Sequence, residues 1–468
     1  MKRLCAVVVI LCVICLSGYV SASETNYVFE EKQRVAIPLS YSVKKVIKNR
    51  NENINNMSQP EDLFIDMWDN VYVADTGNNR ILKFSKDGEV LGVYGDNIEK
   101  PLNTPMGVFV DNDGDMYVAD TGNNRIVHLS SSGKFIEEFR KPESQLLGEE
   151  FIFDPLKIYV NKTGYIYVIK SHSFLTMDAN SNFRGYVGQT LVGYDFKQAL
   201  IKIFASKEQK ERLAKKLPDS YTNFLIDKDG MIYAVCISRN TNQIVKLNSV
   251  GKNIFQDMAF GETTISESNS LLDPYFVDIT VDDKGIISVL DQKTGKIYQY
   301  DQEGNLLTVF AGIGNWKGVF QMPTSIDTDK AGNIYALDRN LNNIQVYEPT
   351  KFIKLVHEAV NLYSNGEYQK AMELWEQVLE IDRNYQLAHK GIAKVLMKEE
   401  KWKDAMNEYI MADDKVGYTQ AFNEYRHMIL QKYFGWVVLS ITLIITFAVL
   451  LLKKIKEIVN STIEQIPF

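Results

Sequence analysis

Two copies of one polar cluster contain the residues of this sequence best suited to chemistry. Residues 71–81 (VYVADTGNNRI) recur as residues 116–126 (MYVADTGNNRI), with ten of eleven positions identical. Each copy places carboxylate, amide and guanidinium groups close together in the sequence. Such a cluster can form a ligand-binding face, or a tight turn in which Asp and Asn cap backbone amides. Recurrence favours the turn, because a unique active site needs unlike residues. The members that we retain as candidates for a ligand or partner face are Asn78, Arg80, Asn123 and Arg125.

A basic segment is the second candidate. The spacing between the third and fourth copies of the pattern is longer than the others, and the excess falls at residues 189–217. Ser206 and Gln209 there are typical of a helix capping box. A solvated helix is one interpretation, and a lid or docking surface is our hypothesis. The cations that complete the predicted face are Lys170, which replaces the Asp of the first two copies, and Lys207, Lys210, Arg212, Lys215 and Lys216.

The sequence contains weaker signals for metal binding and for nucleophilic catalysis. Acids recur where first strands should end, at Asp66, Asp111, Asp227, Asp282 and Asp329, and they suit turns at least as well as calcium. Residues 111–115 (DNDGD) resemble the start of a calcium loop, but Gly122 stands where the closing glutamate belongs, so we predict a hairpin turn. Only His128 and His172 lie in the repeats, and the G-x-S-x-G motif is absent. We predict no catalytic residue, no metal ligand and no cofactor, with calcium as the open alternative.

The elements that carry these residues are short strands. Weaker copies of the pattern follow near residues 165, 231, 286 and 333, which makes six units. The second unit alternates strands and turns as GVFVD, DNDGD, MYVAD, TGNN, RIVHL, SSGK and FIEEF. One four-stranded sheet cannot bury both faces, whereas a ring of them can. We predict a mainly β chain with a six-bladed β-propeller at residues 60–349.

The units resemble NHL repeats over residues 60–348, closely in the first two and less in the third and fourth. The sixth unit lacks a fourth strand before the chain becomes helical. The alternating residues 39–47 (LSYSVKKVI), within an N-terminal segment at 23–59, are predicted to complete that blade and close the ring. Strand alternation then puts the TGNN turns and the linkers between blades on one face, and the exit of the chain on the other.

The two ends of the chain predict export and a membrane anchor. Residues 1–22 combine Lys2 and Arg3 with an apolar run and small residues, which is the layout of a signal peptide. Residues 434–452 form an uncharged stretch long enough to span a bilayer, and lysines follow it in the tail at 453–468. We therefore expect a single-pass plasma membrane protein with an extracellular propeller and a cytoplasmic C-terminus. Only Cys236 would remain after cleavage, so no intrachain disulfide is expected.

Helices occupy residues 352–432. Trp375 and Ala371 belong to a pattern that resembles one tetratricopeptide repeat, and Tyr409 and Ala405 match its second half 34 residues later. Two helix pairs are implied, and a further helix from about Tyr418 runs on into the membrane span. A peptide-binding groove and a rigid spacer are the two interpretations, and the small repeat number favours the spacer.

The leading hypothesis is a membrane-anchored extracellular binding, scaffold or sensor module whose propeller recognises a glycan, a peptide or a protein. The short tail carries no recognised motif, so a membrane partner such as a transporter or a cell-envelope component is implied. The formal net charge of -7 gives no indication of nucleic acid binding. The alternative is a lactonase or lyase that uses a divalent metal on the propeller.

Overall fold

The computed structural model describes residues 26–30, 33–48, 54–144, 147, 150–188, 219–237, 241–249, 251–255, 257–265 and 271–464. The predicted signal peptide and the whole of the basic insertion lie outside these residues. The chain divides into two compact units, Met1–Asn361 and Leu362–Phe468. The first contains the β-structure and the second contains most of the helices.

Six antiparallel sheets form the blades of a six-bladed β-propeller. Blade 1 consists of β4 Asp62–Ile65, β5 Val71–Asp75, β6 Arg80–Phe84 and β7 Val90–Tyr94. Blade 2 consists of β8 Pro105–Val110, β9 Met116–Asp120, β10 Arg125–Leu129 and β11 Phe135–Phe139. Blade 3 consists of β12 Pro155–Val160, β13 Ile166–Lys170, β14 Ser173–Met177 and β15 Phe183–Tyr186.

The remaining blades are less regular. Blade 4 has three described strands, β16 Tyr221–Ile226, β17 Ile232–Cys236 and β18 Ile244–Leu247, and a short ribbon of β19 Thr264–Ile265 and β20 Leu271–Leu272 follows it. Blade 5 consists of β21 Phe276–Val281, β22 Ile287–Asp291, β23 Lys296–Tyr300 and β24 Leu306–Ala311. Blade 6 contains β25 Pro323–Thr328, β26 Ile334–Asp338 and β27 Asn343–Pro349.

The N-terminal segment joins the last two blades. Strand β3, Tyr41–Ile47, pairs antiparallel with β27 and is the fourth strand of blade 6. It covers the β27 edge, which would otherwise be left unpaired. The hairpin of β1 Tyr27–Glu30 and β2 Gln33–Ala36 extends blade 5, through one residue pair between Tyr27 and Val309. This second attachment was not predicted from the sequence.

Local chemistry explains the repeated unit. In each TGNN turn a 3-10 turn, Thr76–Asn78 or Thr121–Asn123, ends at an asparagine in the left-handed region, Asn79 or Asn124, both with φ of 55°. Asparagine tolerates this conformation better than most residues. The second strands of blades 1 and 2 are buried throughout. Their apolar residues pack between blades, as where Ala74 of blade 1 lies in one cluster with Val118 of blade 2.

Five helices follow the propeller: α1 Lys351–Ser364, α2 Tyr368–Ile381, α3 Gln386–Lys398, α4 Trp402–Met411 and α5 Lys415–Glu464. Buried Trp375 of α2 lies against Gly391 of α3, where a larger residue would overlap the indole. Helix α5 includes residues 434–452 with their side chains exposed, and it is long and apolar enough to cross a membrane. The assignment of the shorter helices to tetratricopeptide repeats stays a prediction.

Candidate functional site

The repeated polar cluster holds the blades to the linkers that precede them. Buried Asp75 accepts hydrogen bonds from the backbone of Ser58 at 2.7 Å, from Asn78 at 2.9 Å and from Arg80 at 2.7 Å. In blade 2, Asp120 makes the equivalent contacts, accepting hydrogen bonds from the backbone of Asn103 and from the side chains of Asn123 and Arg125. The carboxylate is therefore fully engaged inside the fold.

The side chains of the candidate ligand residues in this cluster also make hydrogen bonds within the fold. Asn78 and Arg80 donate to the carbonyls of Asn56 and Asn55, at 2.8 and 2.5 Å. Asn123 and Arg125 donate to the corresponding carbonyls of the next linker, and Arg125, which is 2% exposed, also pairs with Glu138. The geometry supports the turn interpretation, and a role of these four residues in binding a partner stays a prediction.

Of the other predicted cations, only Lys170 lies within the described residues. Lys170 lies 2.6 Å from the carbonyl of Ile152 and 3.2 Å from Asp154, so it too holds a linker. The five cations of the insertion, Lys207, Lys210, Arg212, Lys215 and Lys216, lie outside the described residues. A basic docking face thus stays a prediction.

The recurrent acids at the ends of first strands are turn residues. Asp66 Oδ1 accepts hydrogen bonds from the backbone of Trp68 and Asn70, both at 2.8 Å. Asp111, Asp227, Asp282 and Asp329 accept the equivalent pairs in their own blades. The prediction that DNDGD forms a hairpin turn is confirmed, since the amide of Gly114, at a φ of 85°, donates to the carbonyl of Asp111 at 3.1 Å.

A cavity of about 710 Å³ lies among the first strands of the blades. One position on each first strand pairs with the next-to-last residue of the second strand, and in five blades a register shift directly precedes it. Blades 1 to 6 place Asp62, Gly107, Lys157, Asn223, Asp278 and Ser325 there. Six equivalent positions thus bring together five different residue types, with aspartate twice, and we call these six residues the inner ring.

Hydrogen bonds and ion pairs connect the inner ring. Lys157 Nζ pairs with Asp62 Oδ1, and Asn223 donates to Asp278 Oδ1. Ser325 Oγ lies 2.6 Å from Asp278 Oδ2 and 3.1 Å from Asp62 Oδ1. A hydroxyl has one proton to donate, so Ser325 serves one of these carboxylates at a time. The two acids therefore compete for it.

Burial shifts the pKa values of these groups. It raises the pKa of Asp278 to about 7, while the charge of Lys157 opposes the rise and the charge of Asp62 adds to it. Burial disfavours the ammonium form of Lys157, but the carboxylates of Asp62 and Asp278 outweigh it, so its pKa is raised. Asp278 can therefore gain or lose its proton near neutral pH, while Lys157 stays charged.

A second layer lies two residues further along each first strand, where side chains point to the same side. Blades 1 to 4 supply an arc of large side chains, Phe64, Phe109, Tyr159 and Leu225, and blades 5 and 6 supply Thr280 and Asp327. Ring centroids in the arc lie 5.3 Å apart for Phe64 and Phe109 and 4.8 Å apart for Phe109 and Tyr159. Burial raises the pKa of Asp327 to about 6 against its backbone hydrogen bonds. One side of the cavity is thus aromatic and the other is polar.

The cavity extends toward the turns between first and second strands, since Asp111, Asn112, Lys162 and Gly164 also line it. None of the described TGNN residues does so. Sequence reasoning missed the inner ring because its members occupy ordinary strand positions and are equivalent only once the pairing register is known. One signal in the sequence could have identified them. On each first strand the inner-ring residue lies two positions before the second-layer residue, as Asp62 lies before Phe64.

Comparisons with known proteins agree with a repeat architecture. The family description of the NHL repeat matches residues 102–129, which lie in blade 2 and the linker before it. No protein with a curated description matches the sequence.

Three solved structures are similar to this chain at low sequence identity. A Bacteroides thetaiotaomicron protein of unknown function is 12% identical over 68% of this chain and 80% of its own, with a TM-score of 0.45. A catalytically inactive virginiamycin B lyase from Staphylococcus aureus, solved with quinupristin, is 12% identical over 69% and 94%, with a TM-score of 0.41. A streptogramin B lyase is 14% identical over 62% and 78%, with a TM-score of 0.39. The chain is thus a six-bladed β-propeller that carries an NHL repeat and is followed by five helices.

Proposed function

We propose that this protein is a membrane-anchored binding protein and that its propeller binds a small saccharide in the cavity of the inner ring. The observation that supports this is the convergence of five different residue types at six equivalent positions. Structural closure of a propeller does not require such variety, whereas a binding site does. The cavity volume of about 710 Å³ lies in the range typical of small-molecule sites.

The chemistry of the cavity walls favours a saccharide over the other ligands that the sequence left open. A sugar ring has apolar C–H faces and a rim of hydroxyl groups. The aromatic arc of Phe64, Phe109 and Tyr159 suits the faces, and the carboxylates, amide and ammonium of the inner ring suit the hydroxyls. A peptide or protein that inserts one polar side chain is the remaining form of the binding hypothesis.

The proposed location is inferred from the predicted signal peptide and from the apolar helix α5. Helix α5 would cross the plasma membrane with Lys453, Lys454 and Lys456 on the cytoplasmic side. The propeller would then lie outside the cell, where glycans of the envelope are available. A partner membrane protein, such as a transporter or a cell-envelope component, would receive the signal or the cargo.

Binding can be tested on the full chain in detergent micelles with a glycan array, followed by calorimetric titration of each hit. We expect micromolar to millimolar binding of at least one saccharide. Asp278→Asn should weaken it at least tenfold, because a carboxylate acceptor becomes an amide that also carries donors. Asp283→Asn is the matched control, since Asp283 is an exposed acid in the adjacent turn of the same blade. Equal affinities of the two variants, or no saccharide bound, would contradict the proposal.

One observation favours the enzymatic alternative. A carboxyl group with a pKa of about 7, as in Asp278, suits general acid–base catalysis near neutral pH. The alternative is a lactonase or lyase that depends on a divalent metal, although Lys157 already supplies a cation beside Asp62. Turnover of a lactone panel that requires Asp278 and is lost on chelation would favour the enzyme over the binding protein.

A further inference from the structure

A second group of ionisable side chains lies on blade 2, beside the cavity, and its interpretation does not depend on the proposed saccharide. Asp111 and Asp115 flank the turn between β8 and β9, and His128 lies on β10. One ligand atom from each of these three residues lies within 4.8 Å of the other two. Both acids are half-buried, so ions from solvent can reach them.

The turn of blade 2 differs from related turns at its last residue. In four other turns an asparagine donates to the second carboxylate oxygen of the first Asp, as in Asn70 to Asp66, Asn182 to Asp178, Asn305 to Asp301 and Asn333 to Asp329. Blade 2 has Asp115 at this position. Within the part of the chain that the structure describes, no group donates to Asp111 Oδ2. In blade 2 two carboxylates are therefore neighbours, whereas in the four other turns the carboxylate accepts a hydrogen bond from an uncharged amide.

His128 completes the group with an unpaired nitrogen. The residue is only 9% exposed, and its ring stacks on Tyr117 at a centroid distance of 4.1 Å. Nδ1 lies 3.1 Å from Oε1 of Glu137. Buried Nε2 makes no hydrogen bond and lies 3.7 Å from Asp115 Oδ2. When Nδ1 donates its proton to Glu137, the lone pair of Nε2 is directed at the carboxylates, which is the usual arrangement of a metal-binding histidine with its supporting acid.

We propose that Asp111, Asp115 and His128 bind a divalent first-row transition metal ion, of which Zn²⁺ is the type. Two carboxylate oxygens and one imidazole nitrogen suit such an ion, whereas Ca²⁺ takes six to eight oxygen ligands. Ligands at about 2.1 Å from a tetrahedral Zn²⁺ are about 3.4 Å apart, close to the spacing of Asp115 and His128. Solvent supplies the fourth ligand. The competing explanation is a contact of His128 with the two acids that holds no metal.

The other blades provide a natural control. In blades 1 and 4 the residues that correspond to Tyr117 and His128 are Tyr72 with Lys83 and Tyr233 with Lys246. Each lysine ammonium lies over its tyrosine ring, 4.9 and 5.0 Å from the centroid. Replacing Asp115→Asn together with His128→Lys therefore gives blade 2 the pattern of blade 1, which already folds in this chain. The double variant removes two proposed ligands and leaves a set of side chains that blade 1 already contains.

The test uses the full chain in detergent, stripped of metal by a chelator and then titrated calorimetrically with Zn²⁺, Mn²⁺ or Ca²⁺. We expect one Zn²⁺ per chain, Ca²⁺ weaker by at least 100-fold, and a Zn²⁺-dependent rise in melting temperature. The double variant should lose both the binding and the rise while it keeps its circular dichroism. Glu137→Gln should weaken Zn²⁺ by about 10- to 100-fold, as expected for a supporting acid.

Co²⁺ titration provides a readout of the ligands themselves. Visible absorption bands should appear with one equivalent of Co²⁺ in the native chain and be absent from the double variant. Three results would overturn the proposal: no Zn²⁺ bound, the same stoichiometry in the double variant, or tighter binding of Ca²⁺ than of Zn²⁺. The first would leave a metal-free contact of His128 with the two acids.

Discussion

Lys157 of blade 3 pairs with Asp62 of blade 1, past the blade that lies between them. The equivalent residue of that middle blade is Gly107, which has no side chain. A Cβ atom at Gly107 would overlap the backbone carbonyl of Leu156, directly before Lys157. The glycine therefore permits both the close approach of the first strands and the ion pair between non-neighbouring blades.

Loss of the lysine should destabilise the propeller. Lys157→Met leaves the buried carboxylates of Asp62 and Asp278 without their cation, which typically costs about 3–5 kcal/mol. We expect this loss of unfolding free energy at pH 8 and a smaller one at pH 5, where Asp278 is protonated. Guanidinium unfolding followed by tryptophan fluorescence measures both. Lys162→Met, at an exposed lysine on the rim of the same cavity, is the control, and equal losses in the two variants would refute the argument.

Asp278 should make stability depend on pH. Its pKa of about 7 in the folded chain lies above its value of about 3.9 in an unfolded chain, so the folded state holds more protons between these limits. Its contribution to stability is therefore full below pH 4, falls as pH rises toward 7, and is constant above. Relative to Asp278→Asn, the native chain should lose about 2–3 kcal/mol between pH 5 and pH 8. Parallel pH profiles of the two proteins would exclude this linkage.

The sequence predicts the propeller well because each blade repeats a local code. Alternating strands, Gly turns and the left-handed Asn124 are set by neighbouring residues, and so the blades and the DNDGD turn could be placed. The inner ring could not, because Asp62 and Ser325 are far apart in sequence and meet only when the ring closes. The group of Asp111 and His128 was not predicted for a related reason. A count of the histidines does not show which acids the strand register brings beside one of them.

The repeated Asp–Arg pair should be structural, and to a different degree in its two copies. Arg125 is 3% exposed at its side chain and pairs with both Asp120 and Glu138, whereas Arg80 is 13% exposed and pairs with Asp75. We expect Arg125→Met to cost about 3–5 kcal/mol of unfolding free energy and Arg80→Met less, because less charge is left buried. Denaturant unfolding of both variants checks the order. The reverse order, or two neutral variants, would return these residues to the candidates for a partner face.

The N-terminal strands should contribute unequally to closure of the ring. Deleting residues 27–36 removes β1 and β2, which share one residue pair with blade 5 and bury Tyr27 and Val28. Deleting residues 27–47 also removes β3, with buried Tyr41 and Ile47, each worth about 1.5–3 kcal/mol of burial, and leaves β27 unpaired. We expect the first variant to stay monodisperse in size-exclusion chromatography with a lower melting temperature, and the second to aggregate. A peptide of residues 38–48 should partly rescue the second variant. If the longer deletion melts like the shorter one, β3 does not close the ring in solution.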